Sequence, residues 1–299
     1  MIGLITTATE VKVRKNWSDK MPKNIFIAAA AYLLTVGASW SDPVGNVEIN
    51  IGSMAYSNTD DVVSDTLGFA GFNADLSTNY EEYLFTFDFS YLHRDLQSGV
   101  EFEDFAPEDV FALGVHAGKK FADTYVGGFV GKNRFQGFDS GSANGYVMGN
   151  IMGVEAVHEM QLGRLFAQYG DAEMVGDTGD TAFDGNYYRV GMDFDLRRGD
   201  LLFSYERGTS DAIFEDPGDY GSYERIEIIY EYPFSDRLVG VMGADLVYVD
   251  ANIEDASAET NWSIGLRMPF GEQKRRNLLR TPYMPGLAAA WAETLDGIF

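Results

Sequence analysis

The sequence predicts an all-β fold: a transmembrane, antiparallel, up-and-down β-barrel of about 12 strands, with short turns at one end and long acidic loops at the other. Three observations predict it. Apolar and polar residues alternate in segment after segment, which is the period of a strand. The connections between those segments are alternately short and long. An export-type leader precedes them, and after it no apolar stretch approaches the length of a membrane helix.

Composition narrows the classes. The 299 residues carry a formal charge of −24, which argues against nucleic acid as a partner, because phosphate binding needs a basic surface. The chain has no Cys, which removes disulfides, thiolate catalysis and Cys-type metal sites. Gly is abundant at 33 and Pro scarce at 8, a balance that suits many strands in a curved wall.

Residues 1–41 read as the signal-peptide region. Lys23 is followed by an apolar run of 12 residues, Ile25 to Val36, and then by the small residues Gly37, Ala38 and Ser39. The stretch before Met21 is either a long basic n-region or the product of an early start, with Met21 the true beginning. Removing the region leaves the mature chain more acidic still.

Strand candidates follow in order at 46–56, 66–76, 82–93, 108–120, 123–133 and 145–158, then at 163–171, 186–197, 200–208, 222–232, 237–249 and 260–270. The segment YLFTFDFSYL, 83–92, shows the problem they share: Tyr83, Phe85, Phe87, Phe89 and Tyr91 alternate with Thr86, Asp88 and Ser90. In 187–196, Tyr188, Val190, Met192, Phe194 and Leu196 oppose Arg189, Gly191, Asp193 and Asp195. In 223–232, Ile226, Ile228, Tyr230 and Tyr232 oppose Arg225, Glu227 and Glu231. Segments 46–56, 66–76 and 145–158 alternate less cleanly.

The links after the even segments are short, such as STNYE, FA, EMQL, RG and PFSD; those after the odd segments are long, such as RDLQSGVEFEDFAP and AEMVGDTGDTAFDG. That is a meander of hairpins. A soluble sandwich also alternates apolar and polar residues, but it does not keep long and short connections in strict turn. In hydrocarbon every backbone N–H and C=O must be bonded within the protein, so a sheet that spans has to close. Lipid then receives the aromatic face, and the polar face lines the interior.

The last segment carries a motif. Ser263, Gly265, Met268 and Phe270 stand in the order polar, any, Gly, two of any kind, apolar, any, aromatic. This is similar to the assembly signal on the last strand of Gram-negative outer-membrane proteins. From about 45 to 270 the chain resembles porin-like outer-membrane β-barrels. The resemblance implies location in the cell outer membrane, periplasmic short turns and extracellular long loops. It also implies contact with outer-membrane lipid, lipopolysaccharide and the barrel-assembly machinery. Such chains usually end at the aromatic residue; here 29 residues follow, 271–299. This tail is expected to be periplasmic, with a basic stretch at Gln273–Arg280 and a short amphipathic helix presenting Leu287, Trp291, Leu295 and Ile298. It either rests on the rim or is left mobile, or it enters the lumen as a plug, where its basic stretch suits an acidic interior, or docks a periplasmic partner.

The expected pore-lining residues are Asp88, His116, Arg189, Asp193, Asp195, Glu206, Arg225, Glu227, Glu231, Asp245 and Arg267. Opposed charges across a constriction select solutes; the alternative is that they pair and fill a closed interior, as in small barrels. Carboxylates outnumber guanidiniums in this set, which favours cations or neutral solutes. Loops 94–109 and 171–185 are strongly acidic, yet neither has the spacing of a calcium loop.

Little supports an enzyme. Outer-membrane phospholipases pair a His with a Ser two residues later, whereas His93, His116 and His158 are followed at that distance by Asp95, Gly118 and Met160. No cofactor or metal is expected. The sequence leads to a porin-like channel for passive diffusion of small hydrophilic solutes or ions. The alternative is a closed barrel that serves as a structural or surface-interaction protein through its acidic loops.

Overall fold

The computed structural model describes residues 42–58, 66–95, 109–138, 145–176, 181–213, 216–251, 254–272 and 275–281. The expected leader, the loop residues 96–108 and the tail helix lie outside them.

Twelve antiparallel strands form one closed barrel. They are β1 Val44–Asn58, β2 Thr66–Tyr80, β3 Tyr83–Asp95, β4 Asp109–Phe121, β5 Thr124–Phe138 and β6 Gly145–Met160, then β7 Gly163–Gly176, β8 Thr181–Leu196, β9 Gly199–Ile213, β10 Asp216–Ser235, β11 Leu238–Ala251 and β12 Glu254–Phe270. Each strand pairs with its neighbours in sequence, and β1 closes on β12 in unbroken register from Gly45↔Phe270 to Asn58↔Ser257. Closure leaves no edge strand exposed.

The strands outrun the hydrophobic alternation that announces them. The expected segment 222–232 extends to Asp216–Ser235, and 260–270 to Glu254–Phe270. The stretch 171–185, expected as a loop, is mostly strand, with Asp171↔Asn186 and Glu173↔Asp184 in register. The physical reason is that alternation marks only the part of a strand with two different solvents at its faces. Backbone pairing continues past the apolar band with polar residues on both sides. Register shifts at Pro217 and Pro233 of β10 mark where a residue without an N–H interrupts the ladder.

Short two-residue turns, 81–82, 122–123, 161–162, 197–198 and 236–237, gather at the end where β1 begins and β12 finishes. Gly163 and Gly199 follow two of them at φ +147° and +153°, where a Cβ would strike the carbonyl oxygens of Asp193 and Glu231.

The two faces differ in character, apart from an apolar patch on the inner one. Trp262, Ile264, Ile51 and Val154 point outward, each 61% exposed, a state that would be costly in water for a whole face of such residues. Outward aromatics also pack on one another: Phe89 lies edge-on to Phe72 and Phe111, with centroids 5.8 and 5.1 Å apart. Charged and polar residues point inward and are buried, among them Glu48, Asp88, Arg94, His116, Glu155, Arg189 and Arg267. This inversion of the soluble pattern is the arrangement of a barrel surrounded by hydrocarbon.

Candidate functional site

Strand parity carries the expected lining residues inward, and they meet as pairs. On β8, Arg189 donates from Nη2 to Glu227 Oε2 of β10 at 3.0 Å, while its Nε lies 3.8 Å from Glu206 of β9. Its guanidinium also sits 5.0 Å over the Phe166 ring. Glu206 accepts from the Tyr223 hydroxyl at 2.7 Å. Arg225 donates from Nε to Asp245 at 3.2 Å and from Nη2 to Glu227 at 3.4 Å. Arg267 forks onto Glu231, Nε to Oε1 at 3.2 Å and Nη2 to Oε2 at 2.5 Å, and donates from Nη1 to Asn46 at 2.6 Å. Two-point contact of this kind is the strong form of a carboxylate–guanidinium pair. Asp193 accepts from Arg164 Nε at 3.0 Å.

His116 lies between two carboxylates. Its Nε2 is 2.9 Å from Asp88 Oδ2 and its Nδ1 2.8 Å from Glu155 Oε2. With a proton on each nitrogen the ring donates to both. Glu155 also accepts from the Tyr125 hydroxyl at 3.1 Å and from Gln168 at 3.1 Å.

One expected lining residue stands elsewhere. Asp195 comes two residues before the 197–198 turn, and its side chain is 39% exposed at the short-turn rim, where Arg275 pairs with it. The assembly-signal residues divide by parity: Met268 and Phe270 face outward, whereas Gly265 faces inward, where a Cβ would meet the Ile49 carbonyl oxygen at 2.5 Å across the closure seam.

The centre of the lumen is filled by the chain's own continuation. After Phe270 the backbone turns at Gly271 and returns inside the wall, so that residues 276–279 and Thr281 are buried. Of the sequence readings of the tail, the described residues 275–281 take the one inside the lumen. Arg276 is clamped between Glu48, Nη2 to Oε2 at 2.5 Å, and Glu231, Nε to Oε1 at 2.6 Å. Leu278 enters an apolar patch of inward-facing Phe166, Leu202, Ile229 and Val241. Arg280 donates to Glu227 at 3.4 Å. Thr281 gives its N–H to Asp88 Oδ1 at 2.8 Å and its hydroxyl to Asp88 Oδ2 at 2.9 Å. The backbone is held as well: the Arg276 carbonyl accepts from Arg164 at 3.0 Å and the Arg280 carbonyl from Gln168 at 3.2 Å.

The wall is shaped for this segment. A Cβ at Gly114 or at Gly131 would overlap Thr281. A vestibule of about 560 Å³ opens at the short-turn end, lined by Lys120, Asp123, Glu159, Arg164 and Arg275, and ends on Asn277, Leu278 and Leu279. Above it a small polar cavity of about 70 Å³ lies between Arg94, Arg225, Glu259, Arg276 and Arg280.

The sequence reading missed Glu48, Glu155, Arg94, Arg164 and Glu259 on the wall. Glu48 and Glu155 lie in two of the three segments whose alternation is blurred by Gly, Ser and Asn. Phe166, Leu202, Ile229 and Val241 were out of reach for another reason: they are apolar on the face expected to be polar. Among the described residues no group of His, Asp and Glu side chains is arranged to hold a metal ion.

No protein-family model matches the chain, and no curated protein sequence matches it. Solved structures similar to it are outer-membrane proteins. Outer-membrane expressed OmpT of Vibrio cholerae is 12% identical, with 78% of this chain and 99% of that one covered at a TM-score of 0.42. An anion-selective porin from Comamonas acidovorans is 10% identical, covering 77% and 100% at 0.39. OccK1 (OpdK) of Pseudomonas aeruginosa is 6% identical, covering 77% and 99% at 0.40. The fold itself rests on the strand pairing: a closed 12-strand antiparallel barrel with apolar residues outside and charges inside, the build of an outer-membrane β-barrel.

Proposed function

We propose that the protein is an outer-membrane channel for passive diffusion of small hydrophilic solutes, held shut by its residues 275–281. One observation carries this reading: the middle of the lumen is filled by a tail, and the wall side chains alone do not fill it. A barrel that served only as an anchor would close its interior with wall residues, as small barrels do. Here the filling segment leaves the wall at Gly271 and crosses no strand ladder, so it can withdraw without breaking one backbone pair of the barrel. Its withdrawal leaves Glu48, Asp88, Glu227 and Glu231 facing a wet passage. The short-turn end, with its vestibule, is the periplasmic side in this reading. The Ser263-to-Phe270 signal is what the assembly machinery reads. No turnover is involved.

A second reading has its own observation. The segment is seated by ion pairs and by a buried leucine, so a permanently closed barrel presenting its acidic loops fits the same contacts. Planar-bilayer recording separates the two. The channel reading expects discrete, voltage-stable openings from protein ending at Glu272, and few or none from the full chain. Silence from both, with each shown folded by heat-dependent gel migration, selects the closed barrel.

A further inference from the structure

The segment in the lumen is bound as a ligand is bound, and the features that bind it describe a solute. Four parts of the wall each answer one feature of the sequence from Arg276 to Thr281. Glu48 and Glu231 grip one guanidinium from two sides, at 2.5 and 2.6 Å. Phe166, Leu202, Ile229 and Val241 form an apolar notch two residues further on. Glu227 meets a second guanidinium two residues beyond that. Gly114 clears space beside Asp88 for the hydroxyl of the next residue, and Gly131 clears space for its methyl group. Between them Arg164 and Gln168 hold backbone carbonyls. Gln168 is 2% exposed, and its Oε1 has no hydrogen-bond partner, which leaves a buried acceptor on a side chain that already holds the segment.

Charge balance points the same way. On the wall Glu231 is paired with Arg267, and Glu227 with Arg189 and Arg225; Arg276 and Arg280 from the tail add a further guanidinium to each. Glu48 finds its cationic partner in Arg276 alone among the ion pairs of the described residues. Once the tail leaves, Glu231 and Glu227 keep only the guanidiniums of the wall and Glu48 faces the passage with none, and a buried carboxylate left unpaired demands a replacement cation.

We infer that the lumen is a binding and selectivity site for extended, guanidinium-bearing solutes, short arginine-containing peptides with an apolar residue between the charges. Residues 276–281 are a resident copy of such a solute. The inference rests on the channel reading, and it adds the chemical class of what the channel takes.

The test uses the full chain carrying R276E and R280E, which sets carboxylate against carboxylate and expels the segment. Openings are recorded in planar bilayers while the synthetic peptide Arg-Arg-Asn-Leu-Leu-Arg-Thr is added from the short-turn side. The inference expects cation-selective openings that this peptide blocks. A peptide with all three arginines replaced by glutamate should block roughly thirtyfold more weakly or not at all, the size of loss expected when one side of a close charge pair is removed. Adding E48Q to the channel should weaken block by the arginine peptide in the same direction. Should the R276E/R280E chain fail to fold, Leu278→Asp takes its place, since it sets a charge in the apolar notch and leaves every wall side chain intact. Openings that respond equally to both peptides overturn the inference and leave the channel reading standing. A folded but silent variant overturns both.

Discussion

The outer and inner faces of this wall are built from the same strands, one residue apart, and they obey different rules. Outside, Ile49, Ile51, Ile226, Ile228, Trp262 and Ile264 meet a solvent that asks only for hydrocarbon. Any apolar side chain of similar size serves. Inside, Arg267 meets Glu231 and Asn46, and His116 meets Asp88 and Glu155. Each inner side chain answers to named atoms. The difference teaches that parity decides which solvent a residue sees, while partner identity decides what the inner face can do.

The most severe way to break the comparison is to remove an inner partner. Arg267→Ala leaves Glu231 with Arg276 alone and takes a donor from Asn46. The expected loss is about 3–5 kcal/mol, the scale for breaking a buried pair from one side, read from reversible urea unfolding in lipid vesicles. A loss under about 1 kcal/mol would mean that water screens the inner face as it does a surface pair. The next test reverses the outer rule. Ile264→Lys sets a charge against lipid, and the expected cost is roughly 2–4 kcal/mol near the bilayer midplane, less toward the interfaces. A neutral outcome in the same unfolding assay would deny that hydrocarbon surrounds β12. The smallest effect belongs to the rim. Asp195→Asn breaks a pair with Arg275 in which both side chains are more than one-third exposed, and it should cost about 0–1 kcal/mol and fade as salt is raised. A larger, salt-insensitive loss would place Asp195 functionally with the inner set.

These two rules also explain what was legible in the sequence. The wall was readable because a two-residue period needs only the contrast between apolar and polar, as in Phe85, Phe87 and Phe89 against Thr86, Asp88 and Ser90. It was readable only as far as the apolar band reached, which is why β10 begins at Asp216, six residues before the segment expected at 222. Most of the inner charges were readable as a set for the same reason. Their pairing was not: whether Arg189 meets Glu227 or Glu206 depends on register around the whole circle. Asp195 had the right parity and the wrong height, and period alone carries no height. Phe166, Leu202, Ile229 and Val241 look like lapses in the pattern until Leu278 arrives between them. The basic run Gln273–Arg280 was a visible signal, but composition alone left its place open between the rim, the lumen and a periplasmic partner.

Gly271, at φ +69°, ends the wall and starts the return of the chain, and only a few residues separate it from Arg276. So short a tether holds the closing segment at an effective concentration on the order of millimolar beside its own seat. A free competitor of equal intrinsic affinity must reach a similar concentration before it wins the seat half the time. The length of that leash sets a threshold, and lengthening it with flexible residues would lower the dose at which an outside cation displaces the resident one.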